Sequence, residues 1–159
     1  MPLNASDVMT RNVVTVPPDA SVAQVASVMT KHGISAVPVC EAGGTVVGML
    51  SEGDLMRAFG KKHALRRDWW LNLLAEGEKL APEFIDYMRA DHRRAADLMT
   101  GRVVTAKEDT TLPEIADLLF EHRIKRVPIV RDGVLVGIVS RADIIRAVAQ
   151  QPEAVHEPT

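Results

Sequence analysis

The chain has 159 residues, is 47% hydrophobic and 25% charged, and carries a net charge of −2 at pH 7. That is an ordinary soluble globular composition. The near-neutral balance gives no electrostatic reason to expect nucleic acid or an anionic membrane as partner. Cys40 is the single cysteine, which excludes an intramolecular disulfide and suits a reducing compartment. The start, Met1-Pro2-Leu3-Asn4-Ala5-Ser6-Asp7, has no basic stretch followed by an apolar run, so no signal peptide is expected. The most apolar stretches, such as 134–139, are too short to span a bilayer. A cytoplasmic location is expected.

Taken in chain order, the sequence is one unit written twice. Asp7-Val8-Met9-Thr10 returns as Asp97-Leu98-Met99-Thr100, and Val13-Val14-Thr15 as Val103-Val104-Thr105. Val37-Pro38-Val39 returns as Val127-Pro128-Ile129. Val47-Gly48-Met49-Leu50-Ser51 returns as Val136-Gly137-Ile138-Val139-Ser140, and Asp54 and Arg57-Ala58 as Asp143 and Arg146-Ala147. Matches in this order define a tandem repeat.

Residues 13–16 are a short β-branched run and predict a first strand. Ser21-Val22-Ala23-Gln24 has capping-box spacing, and Thr111-Leu112-Pro113-Glu114 repeats it with an early proline. The helix that follows sets Val22, Val25, Ala26 and Met29 on one face, or Leu112, Ile115, Ala116 and Leu119 in the second copy. Two strands come next, at 36–40 and 45–50, around Gly43-Gly44. Asp132-Gly133 is the corresponding hairpin turn. A last helix starts after Ser51 and after Ser140. The expected class is α/β (α+β), two β-α-β-β-α repeats with a helical insert. The expected boundaries are 1–58 for the first repeat, 59–96 for the insert, 97–150 for the second repeat and 151–159 for a frayed tail. Within the insert, Asp68 could cap a helix carrying Trp69, Trp70, Leu73 and Leu74, and Pro82 could open another with Phe84, Ile85 and Met88.

The strongest chemical candidate is Gly48-Met49-Leu50-Ser51-Glu52-Gly53-Asp54 and its repeat Gly137-Ile138-Val139-Ser140-Arg141-Ala142-Asp143. A strand ends, a hydroxyl follows, a helix begins, and an acid sits three residues on. Amides at a helix start attract phosphate. A carboxylate one turn in can accept both hydroxyls of a ribose. The same Ser-x-x-Asp spacing is equally that of a helix cap, whose whole purpose is stability.

The Asp-Val-Met-Thr lead-in, the Val-Pro-Val/Ile strand and Gly-x-x-Ser-x-x-Asp, in order and twice over, resemble a tandem pair of CBS repeats, named after cystathionine β-synthase. The resemblance covers residues 7–58 and 97–147. It implies that two repeats pack through their sheets, that modules pair into homodimers, and that clefts between repeats take AMP, ADP, ATP, NAD or related adenosyl ligands. It implies a cleft with Asp143 on the ribose, Ser140 and Ile138 beside it, and Thr15, Ala20, Ser35 and Ala36 facing the adenine. A second cleft would use Asp54, Ser51 and Met49, with Thr105, Thr110, Lys125 and Arg126 opposite. Lys125 and Arg126 suit phosphate, or else form a solvated strand edge. The contrast of Ser35-Ala36 with Lys125-Arg126 suggests unequal clefts, with more room for a base beside Asp143. The adenine nucleotide would be a regulatory ligand and no cofactor would be required. The effector would be a separate protein, because none of the enzyme, channel or DNA-binding domains often fused to such pairs is present.

Other chemistry fits less well. The histidines His32, His63, His92, His122 and His156 are scattered, with no His-x-x-x-His or Cys-x-x-Cys spacing, so no metal is expected. Cys40 lies in an expected buried strand, where thiols are inert, and neither a Gly-x-Ser-x-Gly elbow nor a phosphate loop is present. No enzyme activity is expected. Lys61, Lys62, Arg66 and Arg67, and Arg89, Arg93 and Arg94, form basic patches flanking the insert. They leave nucleic-acid binding as an alternative to a solvated helix face. A structural dimer with vestigial clefts is the other.

Overall fold

The computed structural model describes residues 3–60 and 92–152. The expected insert helices with Trp69 and Trp70, most of the basic patches and most of the tail lie outside the described residues. The elements are α1 (Ala5–Val8), α2 (Val22–His32), β1 (Ala36–Cys40), β2 (Val46–Ser51), α3 (Glu52–Gly60), α4 (Ala95–Leu98), α5 (Leu112–His122), β3 (Arg126–Arg131), β4 (Val134–Ser140) and α6 (Arg141–Gln150). β1 pairs with β2 in one sheet and β3 with β4 in another.

Helix starts follow the caps. Ser21 and Gln24 exchange bonds: Gln24 N–H donates to Ser21 Oγ at 3.1 Å and Ser21 N–H to Gln24 Oε1 at 2.8 Å. Thr111 makes the forward half, accepting from Glu114 N–H at 3.3 Å. The ends differ. α2 stops at Gly33 in the left-handed region (φ 61°), whereas α5 stops at Arg123 in the same conformation (φ 52°). The Asp132-Gly133 turn has positive φ at both residues, as a tight hairpin of this twist requires.

The expected first strands shrink to single parallel bridges, Val16 to Val39 and Ala106 to Ile129. Val16 N–H donates to Pro38 O at 3.1 Å and Cys40 N–H to Val16 O at 2.9 Å. Pro17, which has no N–H, follows at once, and a turn from Pro17 O to Ala20 N–H lifts the chain away. In the second copy a turn closed by Lys107 O and Thr110 N–H does the same.

The chain forms two compact units that cut across the sequence repeats. One comprises 3–14, 42–46 and 102–152, and the other 15–41, 47–60 and 92–101. Each repeat's Asp-x-Met-Thr lead-in therefore lies in the unit built on the other repeat's body. In the first unit, Ala5 and Met9 join Leu112, Ile115, Val127, Ile129, Val139 and Ile144 in one apolar core. The lead-in is tied down by Ala5 N–H to Thr110 O (2.8 Å), and Thr10 N–H and Ile138 N–H each donate to the other's carbonyl (2.9 and 3.0 Å). In the second unit, Val22, Val25, Val37, Val39 and Leu50 are fully buried. Ala95 N–H bonds Ala20 O (2.8 Å), and Thr100 and Met49 exchange backbone bonds (2.8 and 3.0 Å).

The lead-in methionine explains an invariance between the copies. A Cβ built on Gly48 would stand 2.7 Å from Met99 Cγ and closer still to its sulfur. On Gly137 it would meet Met9 in the same way. The glycine leaves the surface that the methionine fills, so Asp-x-Met-Thr and Gly-x-x-Ser are two halves of one contact.

Candidate functional site

Each Ser-x-x-Asp turn joins the end of a hairpin to a helix. In the second unit, Glu52 N–H donates to Ser35 O at 2.9 Å, which fixes the start of α3 against the entry to β1. Ser51 N–H donates to Asp54 Oδ2 at 2.8 Å, and Asp54 N–H returns to Ser51 Oγ at 3.2 Å. The Ser51 hydroxyl also donates to Asp54 Oδ2 at 3.0 Å, and the Arg57 guanidinium closes on Oδ1. Asp54 is buried.

The first unit repeats the plan with one bond fewer. Arg141 N–H donates to Lys125 O at 2.9 Å. Ser140 N–H donates to Asp143 Oδ2 at 2.8 Å, Asp143 N–H to Ser140 Oγ at 3.2 Å, and Arg146 to Asp143 Oδ1 at 3.2 Å. Asp143 is half-buried.

Both turns are thus complete capping boxes. A carboxylate offers about four acceptor positions. Among the described residues Asp54 meets three donors and Asp143 two. A ribose hydroxyl can still be accepted at either, more readily at Asp143, whose neighbouring Ser140 hydroxyl is not spent on the carboxylate. Cap and ligand site are therefore compatible uses of the same residues.

The other expected site residues divide by unit. Thr15, Ala20, Ser35, Ala36, Met49, Ser51 and Asp54 belong to the second unit. Thr105, Thr110, Lys125, Arg126, Ile138, Ser140 and Asp143 belong to the first. Ala20 and Ala36 are buried, Ser35 is half-buried, and Thr15, Thr105 and Lys125 are exposed. Arg57 and Arg146, which hold the aspartates, carried no role in the sequence reading. The repeated Asp-x-x-Arg spacing on a helix face was the signal that could have found them. Burial in β1 pushes the Cys40 thiol above its ordinary range, in keeping with an inert side chain. Among the described residues no cluster of three or more His, Cys, Asp or Glu side chains could hold a metal, and no helix is long and apolar enough to cross a membrane.

Paired helix-capped hairpins with matching Ser-x-x-Asp turns define a tandem-repeat α/β protein. The CBS domain family model matches residues 5–61 and 95–150, and the chain belongs to that family. The protein MJ1426 of Methanocaldococcus jannaschii is 33% identical over 149 residues, covering 89% of this chain and 88% of that one. The CBS domain-containing protein YhcV of Bacillus subtilis is 28% identical over 141 residues, 89% and 82% of the two chains. Among solved structures, CBSX2 of Arabidopsis thaliana superposes with a TM-score of 0.74 at 27% identity, over 96% of this chain and 99% of that one. A structure of CBSX2 in complex with AMP matches with a TM-score of 0.71 at 25% identity, over 93% and 97%.

Proposed function

We propose that the chain is a regulatory module that binds an adenine nucleotide (AMP, ADP, ATP or NAD) and passes its ligand state to an effector protein. It acts in the cytoplasm as a homodimer and catalyses no reaction itself. The observation that carries this reading is the pair of Ser-x-x-Asp turns, each with acceptor capacity left on its aspartate, in a chain whose relative CBSX2 binds AMP. Asp143 and Asp54 take ribose hydroxyls, Ser140 and Ser51 lie toward the phosphates, and Lys125 and Arg126 add positive charge beside Asp54's ligand. The signal is a population shift: nucleotide favours the arrangement it binds better.

The test is a thermal-shift panel of nucleotide-free protein with AMP, ADP, ATP, NAD and S-adenosylmethionine, followed by titration. A ligand that binds only the folded state raises Tm as its concentration passes Kd. Asp143→Ala should abolish binding at its cleft while costing about 0.5–2 kcal/mol through the lost cap. Stability lost with affinity intact would reduce the aspartate to a cap. No shift with any of the panel would leave a structural dimer as the better reading.

A further inference from the structure

The two Ser-x-x-Asp turns differ in what they leave open to a ribose, whose two hydroxyls need two acceptor positions. A carboxylate offers about four. Among the described residues, Asp143 spends one on the Ser140 N–H and one on Arg146 at 3.2 Å, and two remain. Asp54 spends two on the N–H and the hydroxyl of Ser51 and one on Arg57, and one remains. At Asp54 a donor must therefore give way.

Arg57 is the donor able to leave. The Ser51 N–H is fixed by the cap. Its hydroxyl is held from both sides, accepting from Asp54 N–H at 3.2 Å and donating to Oδ2 at 3.0 Å. The Arg57 side chain is long and 70% exposed, with water to receive it, while the Asp54 side chain beneath it is only 8% exposed. The guanidinium also folds back over the start of α3. Its Nη1 lies 3.5 Å from where a Cβ on Gly53 would stand, a place that Ala142 fills in the other repeat, and that point is 3.6 Å from Ser51 Oγ. Arg57 thus stands over both the carboxylate and the helix start. We infer that Arg57 is a latch on the Asp54 turn, which a nucleotide must displace, so that the Asp143 turn fills first and the Asp54 turn only at higher concentration. The inference rests on the nucleotide reading above and adds a second, higher threshold to it.

Titration calorimetry of the whole chain tests it, with adenosine and with AMP as probes. Adenosine carries the ribose and no phosphate, so loss of a cation cannot act on it through phosphate attraction. Asp143→Ala leaves the Asp54 turn to report, and Asp54→Ala leaves the Asp143 turn. In the Asp143→Ala chain, Arg57→Gln should tighten adenosine about two- to five-fold, the worth of an exposed ion pair. Arg57→Lys, which keeps the charge, should restore the weaker binding. In the Asp54→Ala chain, Arg57→Gln should leave affinity unchanged. A merely structural arginine would lower Tm and tighten neither probe. Affinity for both probes unchanged or weakened by Arg57→Gln overturns the latch, as does AMP weakened with adenosine unchanged, which would make Arg57 a phosphate contact. An equal gain from Ser51→Ala overturns it too, since the hydroxyl would then be the donor that yields. If only AMP binds, a gain on Arg57→Gln supports the latch and a loss overturns it. Wild type that binds neither probe overturns the nucleotide reading and the latch with it.

Discussion

The two units are built to one plan and finished differently. Both seat a lead-in methionine on a strand glycine, and both cap their last helix with a serine and an aspartate. They differ where those shared contacts end. α2 stops on Gly33 and α5 on Arg123. Asp54 is buried under three donors and Asp143 half-buried under two. Glu108 and Arg131 pair in the first unit, where the other repeat holds Pro18 and Glu41. The shared devices each join two segments of backbone and tolerate little change. The differences lie at helix ends and on the surface, where substitution is inexpensive and the repeats are able to specialise.

The largest expected effect comes from breaking what the units share. Gly48→Ala and Gly137→Ala each force a methyl into the methionine and should cost about 1–3 kcal/mol in urea unfolding. Double-mutant cycles sharpen this. Gly48→Ala should couple to Met99→Ala, and Gly137→Ala to Met9→Ala. The crossed combinations, Gly48 with Met9 and Gly137 with Met99, should be additive within about 0.5 kcal/mol. Coupling in the crossed pairs instead would mean that each lead-in rests on its own repeat.

That exchange was the least legible part of the fold. Both copies contain both the methionine and the glycine, so the pattern fits either pairing equally well, and only the three-dimensional path decides. Periodicity and caps were legible because they are local. Val22, Val25 and Met29, and Leu112, Ile115 and Leu119, are buried as their spacing required. Asp132-Gly133 turns as its residue types demand. Residues 13–16 misled for a local reason too: β-branching favours extended backbone, yet Pro17 and the turn to Ala20 leave Val16 alone in bridge contact. At the candidate site the Ser-x-x-Asp turns are legible in their spacing, which fits a helix cap and a ligand site alike, and the structure shows the cap. The arginines holding the aspartates went unread, because a surface charge at helical spacing usually signifies nothing more than solubility.

A smaller effect separates the helix ends. An L-residue in the left-handed region costs roughly 1–2 kcal/mol, which glycine avoids. Gly33→Ala should therefore destabilise by about 1 kcal/mol, and Arg123→Gly should stabilise by up to about the same amount. Thermal unfolding at one fixed protein concentration measures both, since self-association would otherwise shift Tm. Equal and small effects at both positions would mean that Arg123 gains enough from its surroundings to offset its backbone conformation.

The smallest effect belongs to the Glu108–Arg131 pair, whose residues are replaced by Pro18 and Glu41 in the other repeat. Arg131 Nε and Nη2 reach the two Glu108 carboxylate oxygens at 2.6 and 2.8 Å. The guanidinium holds the Glu108 carboxyl below its ordinary range, first by hydrogen bonding and also by charge, while Arg131 is pushed further up and stays protonated. A carboxyl depressed on folding contributes stability that is present above its unfolded pKa and lost as pH falls through the folded value. Glu108→Gln should therefore flatten the acid limb of the stability curve below the ordinary glutamate range and leave neutral pH nearly unchanged, since exposed pairs weigh little there. About 1 M salt, which shortens the screening length to ~3 Å, should mimic the substitution. Glu41→Gln, at the place corresponding to Arg131 in the other repeat, should move the acid limb far less. An acid limb changed equally by both substitutions would show that total negative charge, and not this pair, sets the difference between the units.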